Sequence, residues 1–299
     1  MKDDWTEFGY HDITCEVPSD WDLTHIEGVY EKGYLRLDDA RVPRLEIRWE
    51  KPFRTVSLSG TIDNHIKLVT KEARRARREV RVQRDLRLGG SSFAECESFS
   101  YKNHVEAVGL ATRCATCRRV VIVRCFAGEG RGTLRQTAER IFKSLRDHPQ
   151  DGKSRWGLYG LRFDVPEGFR LVGSDLKTGR LRLDFVRRGE EMTVVRAALA
   201  GVVLKERSLG QWLEQALPKF FRNFVVEKRT EEFRGHPSVV FTGRYKLRMR
   251  LTRLMVRPWF LHCRVWHCER SDKIFLFRVI GREKDRNDLE KCVDLVYCH

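Results

Sequence analysis

No stretch of the 299-residue chain approaches the roughly 20 consecutive apolar residues that a helix needs to cross a bilayer. The start, Met1-Lys2-Asp3-Asp4-Trp5, lacks the basic-then-apolar plan of a secretory signal, which points to a cytoplasmic protein. Catalytic signatures are missing as well: there is no Gly-x-Ser-x-Gly, no His-Glu-x-x-His and no coherent set of Ser, His and Asp. An enzyme is disfavoured. The glycine-rich segment Gly128-Glu129-Gly130-Arg131-Gly132-Thr133 precedes a helix but has neither the Lys-Ser/Thr nor the parallel-strand context of a phosphate loop. Its plain reading is a turn into that helix, with an anion site as the alternative.

What is present suits a folded chain. An apolar share of 41% with 10% aromatics is ordinary for a globular protein, and the length allows two domains of about 150 residues. The nine cysteines are odd in number and spread over a chain too large to need staples, so reduced thiols are expected. Fifty-eight Lys and Arg against 42 Asp and Glu leave a net charge of +16. That excess favours an acidic protein, nucleic acid or an anionic membrane, and it also serves solubility.

The chain repeats itself. Glu16-Val17-Pro18-Ser19-Asp20-Trp21 returns as Asp164-Val165-Pro166-Glu167-Gly168-Phe169, 148 positions later. Gly33-Tyr34-Leu35-Arg36-Leu37-Asp38 returns as Gly179-Arg180-Leu181-Arg182-Leu183-Asp184. The spacing predicts a first domain over 1–148, a polar linker over 149–155 and a second domain over 156–299. Alternating apolar residues predict strands. Steps of three and four predict a long helix over 62–80, a kinked counterpart from Leu209 to Phe224 and a closing helix in each half. The order β, β, β, long α, four β, terminal α argues an α+β fold: two similar domains, each an antiparallel sheet flanked by a long central helix and a C-terminal helix.

In its element order, and in Val17-Pro18 with Trp21 and Val165-Pro166 with Gly168-Phe169, each half resembles the Mog1/PsbP-like family. The resemblance implies a non-enzymatic interaction or accessory module, in a family whose members bind partners as varied as a small GTPase and photosystem subunits. Many relatives are exported or lipid-anchored, and this chain departs from them at its start.

Four groups of residues offer binding chemistry. Arg244, Lys246, Arg248, Arg250 and Arg253 form a run of cations on a predicted strand, a basic face for an acidic partner or a solvated one. Arg74, Arg75, Arg77 and Arg78 lie along the long helix, as a phosphate-binding surface or as the wet side of an amphipathic helix. Trp212, Phe220, Phe221 and Phe224 could stack on bases, although their helical spacing suits a core.

The fourth group is Cys114-x-x-Cys117 with Cys263, His267 and Cys268, which are the ligand types of a zinc site shared between the halves. Buried thiols in equivalent strands are the plainer reading. No cofactor is otherwise expected. The functional expectation is a non-enzymatic protein that binds an acidic partner or assembly through a basic sheet face. Nucleic-acid binding by the same cations and a zinc-stabilised protein are the alternatives.

Overall fold

The computed structural model describes residues 5–40, 42–86, 88, 93–128, 133–148, 152–177, 179–217, 221–246 and 259–298. The chain divides into two units, Met1–Tyr159 and Gly160–His299.

The first unit opens with the hairpin β1 (Trp5–Tyr10) and β2 (Ile13–Pro18), followed by a meander of β3 (Asp22–Val29), β4 (Lys32–Asp38) and β5 (Pro43–Glu50). Helix α1 (Leu58–Arg75) then carries the chain across the sheet to β6 (Arg81–Arg84). From there β7 (Glu95–Lys102), β8 (Glu106–Arg113) and β9 (Val120–Phe126) return to pair β9 with β5. The result is a seven-stranded antiparallel sheet in the order β3-β4-β5-β9-β8-β7-β6. Helix α2 (Leu134–Ser144) packs on β2, β8 and β9, and the short β10 (Arg146–Asp147) closes on β2. Strand β11 (Lys153–Leu158) pairs with β1, so the expected linker is sheet from Lys153 onward.

The second unit has β12 (Leu161–Pro166), β13 (Arg170–Lys177), β14 (Arg180–Arg187) and β15 (Glu190–Ala198), then the helices α3 (Ala200–Val203) and α4 (Leu209–Ala216). Strands β16 (Phe224–Phe233), β17 (His236–Tyr245), β18 (Trp259–Cys268) and β19 (Lys273–Arg282) complete a second seven-stranded sheet, ordered β13-β14-β15-β19-β18-β17-β16. Its connectivity is that of the first sheet. Helix α5 (Arg286–Glu290) and a 3-10 turn (Lys291–Leu295) lead to β20 (Val296–Tyr297), which pairs with β12.

The Val-Pro phrase turns the chain in both units. Trp21 N–H donates to Pro18 O at 3.1 Å and Phe169 N–H to Pro166 O at 3.3 Å. The second copy places Gly168 at φ +86°, where a type II turn needs a residue without a Cβ.

The central strands are buried on both faces, which is why β8, β18 and β19 read as near-continuous apolar runs. In the first unit α1 seals one face: Leu58, Ile62 and Val69 pack with Phe99, Tyr101, Ala107, Ala111 and Val120. In the second, Leu209, Trp212, Leu213 and Leu217 pack with Val239, Phe241, Leu261, Cys263 and Val265.

This architecture corrects the α+β expectation. The described residues are 54% strand and 21% helix, in antiparallel sheets with few, mostly short helices. A long central helix occurs in the first unit, whereas α4 has 8 residues, and Phe224, expected at the end of its counterpart, begins β16. Pro218 lies outside the described residues, in the segment between α4 and β16. The closing helix of the second half is likewise broken into a five-residue helix, a 3-10 turn and a two-residue strand. The Mog1/PsbP-like plan of one long central helix per domain does not describe this chain.

Candidate functional site

Strands β8 and β9 are joined by Cys114-Ala115-Thr116-Cys117-Arg118-Arg119. Cys114 N–H donates to Arg119 O at 2.9 Å and Arg118 N–H to Cys114 O at 3.0 Å, with Arg118 in the left-handed region at φ 62°. Arg119 N–H donates to Cys117 Sγ at 3.4 Å. The turn thereby aims both thiols at Asp147 and His148, which follow α2. Pairing of Asp147 with Ile13, and a bond from His148 N–H to Asp12 O at 3.2 Å, hold that segment in place.

Four donor residues of three types converge there. Cys114 Sγ lies 3.6 Å from His148 Nδ1, Cys117 Sγ lies 3.7 Å from Asp147 Oδ2, and His148 Nδ1 lies 3.3 Å from Asp147 Oδ1. Ligand atoms from all four residues fall within 4.8 Å of one another.

An outer layer fixes them. Tyr30 Oη sits 3.1 Å from His148 Nε2. Arg119 grips both carboxylate oxygens of Asp147, with Nε 3.2 Å from Oδ2. It also donates to Tyr30 O at 3.1 Å and His11 O at 2.9 Å, and its guanidinium lies 4.7 Å from the Tyr30 ring centroid. The side chains of Arg119 and Asp147 are 0% and 1% exposed.

The electrostatics follow from that burial. Burial pushes the Asp147 carboxyl upward, but bonds from His148 and Arg119 outweigh it and hold the group below its ordinary value. His148 is raised, chiefly by its bond to Asp147. Burial, then the Asp147 charge, pushes the Cys117 thiol up to about 12. A thiol so placed stays protonated and is a poor nucleophile unless a cation draws off its proton.

Cys263, His267 and Cys268 do not form one set. They lie on a single strand, and alternation along β18 sends Cys263 into the core beneath α4 and Cys268 to the opposite face, with His267 on the side of Cys263. Cys268 instead groups with His236 and Cys298, where Cys298 Sγ is 3.4 Å from His236 Nε2. Cys263 and His267 belong to neither group. Sequence reasoning missed Asp147 and His148, which sit at the edge of the expected linker. A signal existed: Asp147-His148 and Cys298-His299 both follow the last helical segment of their half.

The helix cations lie at a terminus. Arg74 and Arg75 end α1, Arg77 follows at φ 55°, and Arg77 N–H and Arg78 N–H donate to Arg74 O and Ala73 O. This is a Schellman closure with Arg at the position that favours glycine, and the positive charges complement the helix dipole there. Arg74, Arg75, Arg77 and Arg78 are exposed, as are Lys67 and Lys71 one and two turns back.

Arg244 is exposed at the end of β17, and Lys246 follows it, bonded to Arg222 O at 3.3 Å. Arg248, Arg250 and Arg253 lie outside the described residues, as does Phe220. Trp212 and Phe224 are core, and Phe221 stacks on Phe241 at 5.0 Å, so these aromatics are occupied by packing. At the glycine-rich turn, Thr133 and Gln136 close the α2 N-terminus with a reciprocal capping box.

No protein-family model and no curated protein matches the chain. Among solved structures, the immunity protein TplEi of the T6SS from Pseudomonas aeruginosa, complexed with "L" peptide, is similar at 10% identity and a TM-score of 0.36, over 100% of this chain and 99% of that one. Its apo form scores 0.33 at 11% identity, over 99% and 97%. LpqN, involved in cell envelope biogenesis of Mycobacterium tuberculosis, scores 0.27 at 11% identity, over 50% of this chain and 83% of that one. Scores this low leave fold and function to be argued from the chain's own residues.

Proposed function

We propose that the protein is a non-enzymatic interaction protein that engages an acidic protein partner through exposed cations, chiefly those of α1. One observation carries this reading. Lys67, Lys71, Arg74 and Arg75 follow helical spacing along one exposed face of α1, Arg77 and Arg78 are exposed just past its end, and among the described residues none of the six enters an ion pair. Several other cations are neutralised, as in Arg36 with Asp38, Arg124 with Glu46 and Arg119 with Asp147. A face left uncompensated attracts anions over several ångströms and raises association rates. Leu68, 57% exposed beside Lys67 and Lys71, adds an apolar anchor suited to a protein surface. Aromatics that would stack on bases are absent from this face, which favours protein over nucleic acid.

The test compares a polyglutamate peptide with a duplex RNA, titrated against the full chain at low and high salt. The triple variant Arg74→Glu, Arg75→Glu, Arg78→Glu is expected to lose most peptide binding, whereas reversal of Lys51, Arg54 and Arg188 should matter far less. RNA binding tighter than peptide binding, with a steep salt slope, would transfer the reading to nucleic acid. Equal losses in the two triple variants would show a generic charge effect and remove the α1 surface.

A further inference from the structure

We propose that Cys114, Cys117, His148 and Asp147 form a tetrahedral site for a divalent metal ion of the zinc class. The site does not depend on the partner-binding reading, because all four residues lie in the first unit and none belongs to the α1 face.

The donor separations are those of a coordination polyhedron. Zinc binds thiolate at about 2.3 Å, imidazole at about 2.0–2.1 Å and carboxylate at about 2.0–2.2 Å. A tetrahedron with those arms has edges of about 3.5–3.6 Å from sulfur to nitrogen, about 3.6 Å from sulfur to oxygen and about 3.4 Å from nitrogen to oxygen. Here Cys114 Sγ stands 3.6 Å from His148 Nδ1, Cys117 Sγ 3.7 Å from Asp147 Oδ2 and His148 Nδ1 3.3 Å from Asp147 Oδ1, and one ligand atom from each of the four residues lies within 4.8 Å of the others. Two sulfurs, an imidazole nitrogen and a carboxylate are thus gathered close enough for one ion to bind them together.

The outer layer has the form that metal ligands require. A ligating histidine turns one ring nitrogen to the ion and donates the other N–H to a fixed acceptor. His148 presents Nδ1 to the cluster and Nε2 to Tyr30 Oη. Asp147 is aimed by Arg119, and Cys117 Sγ accepts the backbone N–H of Arg119, a bond that favours the thiolate.

Charge also closes. Two thiolates and one carboxylate around a dication leave one negative charge, and the buried Arg119 guanidinium bonded to Asp147 supplies the balancing positive one. Binding is balanced by release of the two thiol protons to solvent, with no change of oxidation state. Two sulfurs with one nitrogen and one oxygen in a tetrahedron select zinc over magnesium or calcium, which prefer six or more oxygens. The ion would tie the β8–β9 turn to the segment after α2, beside the β3–β4 turn that carries Tyr30, and so stabilise the first unit.

The experiment uses the full chain, reduced, freed of metal with a chelator and titrated with Co²⁺, then Zn²⁺. Expected are one Co²⁺ per chain at this site, with the thiolate charge-transfer and ligand-field bands of a tetrahedral complex. Zn²⁺ should displace it and raise the melting temperature. Cys117→Ser and His148→Ala should each weaken metal binding at least about 100-fold, and Tyr30→Phe about 10-fold. Cys298→Ser, which depletes the three-residue group of the second unit, should leave the bands unchanged. His148 is partly exposed, so His148→Ala is expected to fold, checked by circular dichroism without metal. Absence of thiolate-to-cobalt bands overturns the proposal, as does wild-type affinity in folded His148→Ala. Bands lost in Cys298→Ser and kept in Cys117→Ser also overturn it, by moving the ion to the second unit.

Discussion

Arg119 and Asp147 form an ion pair from which water is excluded on both sides, with side-chain exposures of 0% and 1%. The pair joins the last residue of the β8–β9 turn to one 28 positions later, and the remaining donors of Arg119 are spent on the carbonyls of Tyr30 and His11. One guanidinium thus fastens three turns of the first unit. A buried pair contributes little against a well-packed apolar substitute, yet removing one partner leaves a bare charge. Arg119→Ala is therefore expected to destabilise the metal-free protein by about 3–5 kcal/mol, measured by urea unfolding. The double variant Arg119→Met, Asp147→Leu should recover most of that loss, and a double variant as unstable as the single one would show that hydrogen bonds to Tyr30 and His11 dominate.

His65 sets a pH dependence. It lies on the inner side of α1 beside Phe99 and Tyr101, and its Nε2 has no hydrogen-bond partner among the described residues. Burial, with the nearby Arg124 and Arg48 charges, lowers its pKa from 6.5 to about 3. The unfolded chain takes up the proton first, so this contribution is complete above about pH 6.5 and is lost as pH falls toward 3, at about 1.4 kcal/mol per pH unit across that window. His65→Leu should flatten the stability profile between pH 6 and pH 4 while changing little at pH 8. An unchanged acid slope would mean that His65 is already protonated in the folded protein.

Arg77 offers a clean probe of the cationic face. It holds the left-handed position that ends α1, where a Cβ costs about 1–2 kcal/mol and glycine regains part of that through lower strain. Arg77→Gly should raise stability by up to about 1 kcal/mol while removing one cation. A loss of polyglutamate affinity in this variant could not be blamed on unfolding, and a fall in melting temperature would show that the Arg77 side chain makes a favourable contact.

Gly109 lies directly across from Phe99 on β7, and a Cβ there would stand 2.3 Å from the Phe99 ring. That ring is completely buried under α1 and cannot swing away. Gly109→Ala is expected to cost about 1–3 kcal/mol through overpacking, seen as a lower denaturation midpoint. Adding Phe99→Leu should relieve part of it.

Much of the strand content was legible because burial leaves a period. Leu35 and Leu37 on β4, and Leu45, Ile47 and Trp49 on β5, alternate inward as their sequence suggests. The strands that pattern reasoning passed over include β3 and β13, which are mostly exposed edges of their sheets and carry no apolar stripe to read. The first long helix was displaced rather than missed. Ser57 caps it at Leu58, four residues before the expected start, and the Schellman closure ends it before Ala76 and Val80. Its counterpart in the second half was overextended because Phe224 suits a helical face and a strand end equally well.

The amino-acid order by itself determined the repeat, the inward faces of the central strands and the presence of soft metal ligands in the β8–β9 turn. Those properties depend on spacing along the chain, which periodicity reports directly. Which ligands meet was decided by tertiary structure. Cys263 and Cys268 are five apart and point to opposite faces of one strand, whereas Cys117 and Asp147 are thirty apart and come within 3.7 Å. Alternation specifies the face on which a side chain emerges; only closure of β10 on β2, with Arg119 anchoring Asp147, specifies what it will face.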